Sequence, residues 1–188
     1  MGLFEFLLVI VAIVLSLGIT ELLGGVARIL KGEIAGHPRH TLWIVIVFQL
    51  QLQLAWGLWG LRQRVSWRYP EFALLLLGPV FLYLAAAVLF PPAGLESAEL
   101  HLLRRRKDFF LLNLGYLWTT GLYGTFLFNE PFRSGFNAIR LLVSIAFVTL
   151  AFTSKRGVQW ALGLLILAGH LWWTYQYTFV VAATPRGP

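Results

Sequence analysis

The sequence contains no cysteine among its 188 residues. This absence excludes disulfides, thiolate metal sites, cysteine nucleophiles and iron–sulfur clusters. Charged residues are also scarce, at 12%, against roughly 25% in a typical soluble chain. So few charges could not cover a surface that faces water, and an apolar content of 59% excludes a disordered chain. The composition therefore predicts an integral membrane protein.

Several signatures of catalysis and cofactor binding are missing as well. The sequence has no HExxH, P-loop, GxSxG or dinucleotide-binding motif. No apolar segment carries a lysine for a retinal Schiff base, an arginine ladder for voltage sensing, or the paired carboxylates of a di-metal site. His170 alone lies deep in an apolar segment, whereas a di-haem bundle needs two such histidines. We predict no cofactor and no metal, and an intramembrane enzyme is the weakest functional hypothesis.

Long apolar segments are what the sequence does contain. A helix needs about 20 residues to cross the bilayer core. Six segments reach or approach this length, at about 4–30, 42–61, 72–90, 109–128, 136–152 and 160–183. They are continuous rather than alternating, which favours helices over strands. The prediction is an all-α, polytopic membrane helix bundle of about six transmembrane helices, forming one domain over residues 1–188.

The longest connection, residues 91–108, ends in a basic cluster. Leucines at 95, 100, 102 and 103 precede Arg104, Arg105, Arg106 and Lys107. This pattern suits a short helix in the headgroup layer that ends in a basic anchor, and a solvated loop is the alternative. Because the basic residues lie between apolar segments, the net charge of +7 predicts contact with anionic lipid headgroups and no nucleic-acid partner.

The distribution of Lys and Arg predicts an orientation. Nine of the 15 basic residues belong to the first, third and fifth connections, which are expected in the cytoplasm. Both termini are then outside the cytoplasm. The start lacks the basic region of a signal peptide, so the first segment is expected to be retained.

Two stretches carry a resemblance to other sequences. They are residues 15–25, LSLGITELLGG, and residues 49–59. In these stretches the chain resembles uncharacterised bacterial multi-pass membrane proteins. The resemblance implies a location in the bacterial inner membrane and implies no function.

Polar residues recur at helical spacing inside four segments. Such residues usually face the bundle interior. The candidates for lining a path or ligand site are Glu21, Gln49, Gln53, Asn113, Tyr116, Thr120 and His170. The alternative for each is structural, such as a hydrogen bond between helices or a carboxylate that reaches the interface.

Aromatic residues cluster near the end of the sixth segment. Trp172, Trp173 and Tyr177 are typical of an aromatic belt at the membrane interface. The alternative is an aromatic pocket for a flat apolar ligand.

Three functional hypotheses follow from these patterns. The leading one is a path or binding site for a small solute or ion, in a channel or transporter. The second is a non-catalytic membrane partner or a module that binds a lipid or quinone, and the third is the intramembrane enzyme. Gly18, Gly24 and Gly25 predict a homo-oligomer packed through the first segment. If Glu21 and His170 are functional, flux or affinity should vary between about pH 5 and 8.

Overall fold

The computed structural model describes residues 2–62, 64, 66–92, 97–128, 131 and 135–178. These residues form six α-helices and no strand. The helices are α1 (Leu3–Leu30), α2 (Pro38–Leu58), α3 (Tyr69–Leu89), α4 (Ala98–Leu127), α5 (Gly135–Phe152) and α6 (Arg156–Trp173). A 3-10 turn (Trp59–Leu61) follows α2, and a π-helical turn (Thr174–Thr178) follows α6. The predicted all-α bundle is confirmed.

Three helical segments are long and apolar enough to cross a membrane. They are Phe4–Leu30, Pro38–Leu61 and Tyr69–Leu89. The shorter apolar stretch Asn137–Phe152 belongs to α5. Large apolar side chains are exposed on all six helices, among them Ile13, Val45, Leu84, Leu111, Ile145 and Leu165. Both features are those of a membrane protein.

The helix α4 corrects the prediction for the connection before it. It begins at Ala98 rather than at 109, because the Ser97 hydroxyl caps it by accepting the Leu100 N–H at 3.2 Å. It then continues without a break for 30 residues, so the predicted separate headgroup helix is wrong. The extra 11 residues add about 16 Å to the helix.

The basic cluster therefore lies within α4. Arg104, Arg105 and Lys107 are exposed, and Arg106 is half-buried. The Lys107 ammonium lies 5.2 Å from the centre of the Phe152 ring. A headgroup contact by these side chains stays a prediction.

Other helix bounds also differ from the predicted ones. α2, α3 and α6 begin three or four residues earlier than expected, at Pro38, Tyr69 and Arg156. Pro38 suits the first helical position, where no N–H is needed. The α-helical part of α6 ends at Trp173, and positions 179–183 of the predicted segment lie outside the described residues.

Successive helices run in opposite directions. We call end A the end where α1, α3 and α5 finish and α2, α4 and α6 begin, and end B the opposite end. At end A, the Ala98 N–H donates to the Ala35 carbonyl at 3.1 Å. At end B, Arg64 Nη1 donates to the Leu127 carbonyl at 2.9 Å. Within the bundle, α3 packs against α1 and α4, α5 packs against α4, and α6 contacts α2 and α5.

Two of the three α1 glycines serve packing inside the chain. A Cβ on Gly18 would lie 2.7 Å from the Gln51 side chain, and one on Gly25 would collide with the Phe90 ring. Gly24 faces open space. α1 therefore packs closely against α2 at Gly18 and against the end of α3 at Gly25.

Candidate functional site

A cleft of about 590 Å³ lies between α2, α4, α5 and α6. Its lining is mostly leucine, isoleucine, valine, phenylalanine, alanine and glycine, with a few polar groups. Leu142 and Leu165, on α5 and α6, line it and are 67% and 66% exposed. The cleft is therefore open sideways, toward the exposed apolar surface of α5 and α6.

The structure brings together five of the seven residues that were predicted to line a path or site. These five line the cleft and are Gln53, Asn113, Tyr116, Thr120 and His170. Trp172 and Trp173 line it as well, and the side chain of Tyr177 lies outside the described residues. Helical spacing predicted that these residues share one face on each of three helices. The fold brings those three faces together around the cleft.

Glu21 and Gln49 are not among the residues that line the cleft. Glu21 is exposed on α1 and forms no hydrogen bond or ion pair with any described residue. Gln49 is half-buried, whereas Gln51, two residues on, is fully buried against Gly18. Because Glu21 lies outside the cleft, the structure does not join it to His170 in one site.

The hydroxyl groups of the cleft are hydrogen-bonded to backbone. The Thr120 hydroxyl donates to the Leu117 carbonyl at 2.7 Å. The Tyr116 hydroxyl lies 3.4 Å from the Leu50 carbonyl, which is a long hydrogen bond. These bonds satisfy the hydroxyls without a ligand.

Two polar atoms in the cleft lack such partners. Asn113 Nδ2 donates to the Phe109 carbonyl at 2.8 Å, but Oδ1 is buried and has no partner among the described residues. His170 Nε2 is likewise buried and unpartnered within the described part of the chain. Buried polar atoms in folded proteins are nearly always paired, so these two atoms are the groups of the cleft that are left for a further partner.

Arg140 brings positive charge to the cleft. It lies on α5 and lines the cleft, and its Nη1 donates to Asn137 Oδ1 at 2.6 Å. Gly121 leaves room for this side chain, since a Cβ there would lie 3.4 Å from Arg140 Nε. Arg140 was not among the residues predicted to line a site, because its charge entered only the count of basic residues that predicts orientation.

Packed aromatic rings close the cleft toward end A. The Trp43 ring meets Phe110 edge-on at 4.9 Å and Phe109 at 5.6 Å between centres. Phe110 lies 6.4 Å from Phe147, which also lines the cleft. All four rings are buried, so they separate the cleft from end A.

The end-A part of α6 is fixed to its neighbours. Gln159 Nε2 donates to the Leu150 and Thr153 carbonyls at 3.0 and 2.7 Å, which are free at the end of α5. Gly163 packs onto Leu42 of α2. From Leu165 onward, the same helix forms a wall of the cleft.

A second polar cluster, at end A, was missed by the sequence analysis. The Glu99 carboxylate lies 2.7 Å from Arg39 Nη2, 3.0 Å from His37 Nε2 and 3.5 Å from Arg156 Nη2. Arg39 is 1% exposed. The cluster joins the starts of α2, α4 and α6. In the part of the chain that the structure describes, no three His, Asp or Glu side chains are placed to hold a metal ion.

The histidines of this region are tied to the end of α3. His40 Nε2 lies 2.9 Å from the Leu89 carbonyl, and His101 Nε2 lies 3.1 Å from the Val88 carbonyl. Both carbonyls belong to the last turn of α3, which lacks helical donors for them. These contacts indicate a structural role for His40 and His101.

Comparisons with known proteins add no relationship. No protein-family model, no curated protein and no solved structure matches the chain significantly.

Proposed function

We propose that this protein binds a small ligand from the bilayer in the cleft between α2, α4, α5 and α6. The main support for this proposal is the cleft itself. Its volume of about 590 Å³ falls in the usual range for small-molecule sites of about 300–1,000 Å³, and such sites are mostly apolar with a few polar groups. The polar atoms of Asn113 and His170 supply those groups.

The shape of the cleft favours a binding site over a path through the protein. A path would have to continue to end A, where Trp43, Phe109 and Phe110 fill the space. The sideways opening at Leu142 and Leu165 instead gives access from the lipid. A membrane-soluble ligand could therefore enter without crossing water.

The proposal includes six membrane crossings. The alternation of helix direction supports an even number, with the start of α1 and the end of α6 both at end B. End A carries the basic cluster Arg104–Lys107, so the positive-inside rule favours end A as the cytoplasmic end. We propose a bacterial inner membrane as the location on the basis of the resemblance at residues 15–25 and 49–59.

The proposal is tested by filling the cleft. Gly57 and Gly169 line it, and a Cβ on either would meet nothing within 4 Å. Gly57→Leu and Gly169→Leu should fold normally and exclude the ligand. Gly157→Leu is the matched control, because Gly157 is equally open but is not a lining residue.

The measurement is native mass spectrometry of the protein purified from membranes in mild detergent. A bound small molecule should appear with the wild type and with Gly157→Leu, and should be lost from both cleft variants. Equal occupancy in all four proteins would overturn the proposal. Ion or solute flux through liposomes that the cleft variants abolish would establish a path instead.

A further inference from the structure

We propose that the ligand is an uncharged amphiphile that donates a hydrogen bond to the side-chain carbonyl of Asn113. The inference rests on the proposed function, because it names the chemistry of the ligand for the same cleft. Its hydroxyl or amide N–H lies at Asn113, and its apolar body lies along α2, α5 and α6.

The orientation of the Asn113 amide determines what the ligand must offer. Nδ2 donates to the Phe109 carbonyl, so Oδ1 is the atom that is left for another partner. Asn113 is 1% exposed, and Oδ1 has no donor among the described residues. A buried acceptor without a donor destabilises a protein. Since Oδ1 only accepts, the missing partner is an O–H or N–H group.

The surroundings of Asn113 favour an uncharged ligand group. Ile46, Leu50 and Phe147 line the same cleft, and a charged head among such residues would lose its hydration without compensation. Arg140, which would attract an anion, packs on Gly121. Gly121 lies eight residues along α4 from Asn113, or about 12 Å. An anionic head would therefore bind at a different level of the cleft.

The volume sets the size of the ligand. At about 30 Å³ for each water-sized group, the cleft of about 590 Å³ holds about twenty non-hydrogen atoms. This fits one alkyl chain with a small head group and leaves no room for both chains of a phospholipid.

The experiment compares three brominated probes that share one chain: dibromostearyl alcohol, methyl dibromostearate and dibromostearate. Bromine quenches tryptophan fluorescence at short range, and Trp172 and Trp173 line the cleft. The alcohol donates a hydrogen bond, the ester only accepts, and the carboxylate is charged. Each probe is titrated into the full chain in phosphatidylcholine nanodiscs, with Gly169→Leu as the baseline for quenching outside the cleft.

We expect the alcohol to bind roughly two- to tenfold more tightly than the ester, the range for one net hydrogen bond. Asn113→Leu should abolish this preference. Thr120→Val should retain it, because the Thr120 hydroxyl is already bonded to Leu117. Asn113→Leu should also raise the melting temperature of the ligand-free protein, since it removes an unpaired acceptor, whereas a purely structural asparagine would lower it.

The remaining outcomes separate the two proposals. A preference for the alcohol that survives in Asn113→Leu would overturn this inference. Tightest binding by the carboxylate, lost in Arg140→Gln, would also overturn it by assigning an anionic ligand. Quenching no stronger than in Gly169→Leu, for all three probes, would overturn the proposed function itself.

Discussion

The hydroxyl of Tyr123 donates to the carbonyl of Leu75 at 2.9 Å. Leu75 lies four residues before Pro79, which has no N–H to donate to it. The same hydroxyl accepts the Gly78 N–H at 3.0 Å. Tyr123 of α4 thus supplies the hydrogen bond that Pro79 removes from α3 and accepts a second one from Gly78, and α3 continues as a helix through Pro79. Lipid offers no substitute for these bonds.

Tyr123→Phe should therefore destabilise the protein. It leaves the Leu75 carbonyl and the Gly78 N–H without their side-chain partner, and a buried unsatisfied group costs about 1–3 kcal/mol. The free energy of unfolding in mixed micelles of dodecyl maltoside and SDS measures the loss. Tyr116→Phe is the control, because its hydrogen bond of 3.4 Å is long. Equal losses in the two variants would contradict the role assigned to Tyr123.

Glu99→Ala should destabilise the protein more strongly. Arg39 is 1% exposed and its Nη2 lies 2.7 Å from the Glu99 carboxylate, so the variant leaves a buried guanidinium without its anion. Removing one partner of a buried ion pair costs about 3–5 kcal/mol. Thermal unfolding in detergent, followed by circular dichroism, measures the effect.

An exposed ion pair provides the comparison. Asp108 and Arg105 lie 3.2 Å apart, with side chains 53% and 60% exposed, so Asp108→Ala should cost less than about 1 kcal/mol. The double variant Arg39→Met with Glu99→Leu should recover most of the stability, because no buried charge is left unpaired and the remaining partner, Arg156, is 77% exposed. A double variant as unstable as Glu99→Ala would contradict the electrostatic explanation.

Much of the fold could be predicted because the apolar segments are long. The beginning of α4 could not, since Arg104–Lys107 interrupt the apolar pattern although Arg, Lys, Leu and Glu all favour helices. Hydropathy indicates whether a segment favours lipid or water. Helix propensity and the Ser97 cap instead determine where the helix begins. The composition of α4 therefore changes from charged to apolar at about residue 109 without ending the helix.

The candidate site was predicted in part for a related reason. Spacing along one helix shows which side chains share a face, and so it grouped Asn113, Tyr116 and Thr120. It does not show which helices face each other, and this is why Arg140 was missed and Glu21 was included. Glu99 was missed because its partners, at the starts of α2 and α6, are far from it in the sequence.

Orientation is predicted with end A in the cytoplasm. The absence of native cysteine allows single cysteines to be labelled from either side of the membrane. Ser154 at end A and Ser66 at end B are both exposed. Ala98, also at end A, is fully buried and is therefore unsuitable for labelling. Ser154→Cys should react only with reagent in the cytoplasm, and Ser66→Cys only with reagent outside. The reverse pattern would show an inverted orientation, and labelling of both from one side would contradict the six crossings.

The exposed face of α1 bears on the predicted homo-oligomer. Ser16, Thr20 and Gly24 recur every four residues on this face, and all three are exposed. Glu21 is exposed nearby without a partner among the described residues. It lies about 7 Å along the axis from the middle of α1, where a carboxylate facing lipid is costly. A second copy of α1 would cover both the small-residue face and Glu21, since small residues permit close approach of helices in lipid.

This arrangement predicts a specific cross-link. Thr20→Cys in a membrane should form a disulfide-linked dimer under mild oxidation, because Thr20 lies at the centre of the small-residue face. Ile145→Cys, on the exposed face of α5, should give markedly less dimer at the same expression level. Gly24→Leu should suppress the Thr20→Cys dimer by blocking close approach, without affecting folding, since a Cβ at Gly24 meets nothing within 4 Å. Equal cross-linking at Thr20→Cys and Ile145→Cys, or a monomeric mass of the wild type in nanodiscs, would rule out an α1 interface and leave Glu21 as a carboxylate that reaches the interface.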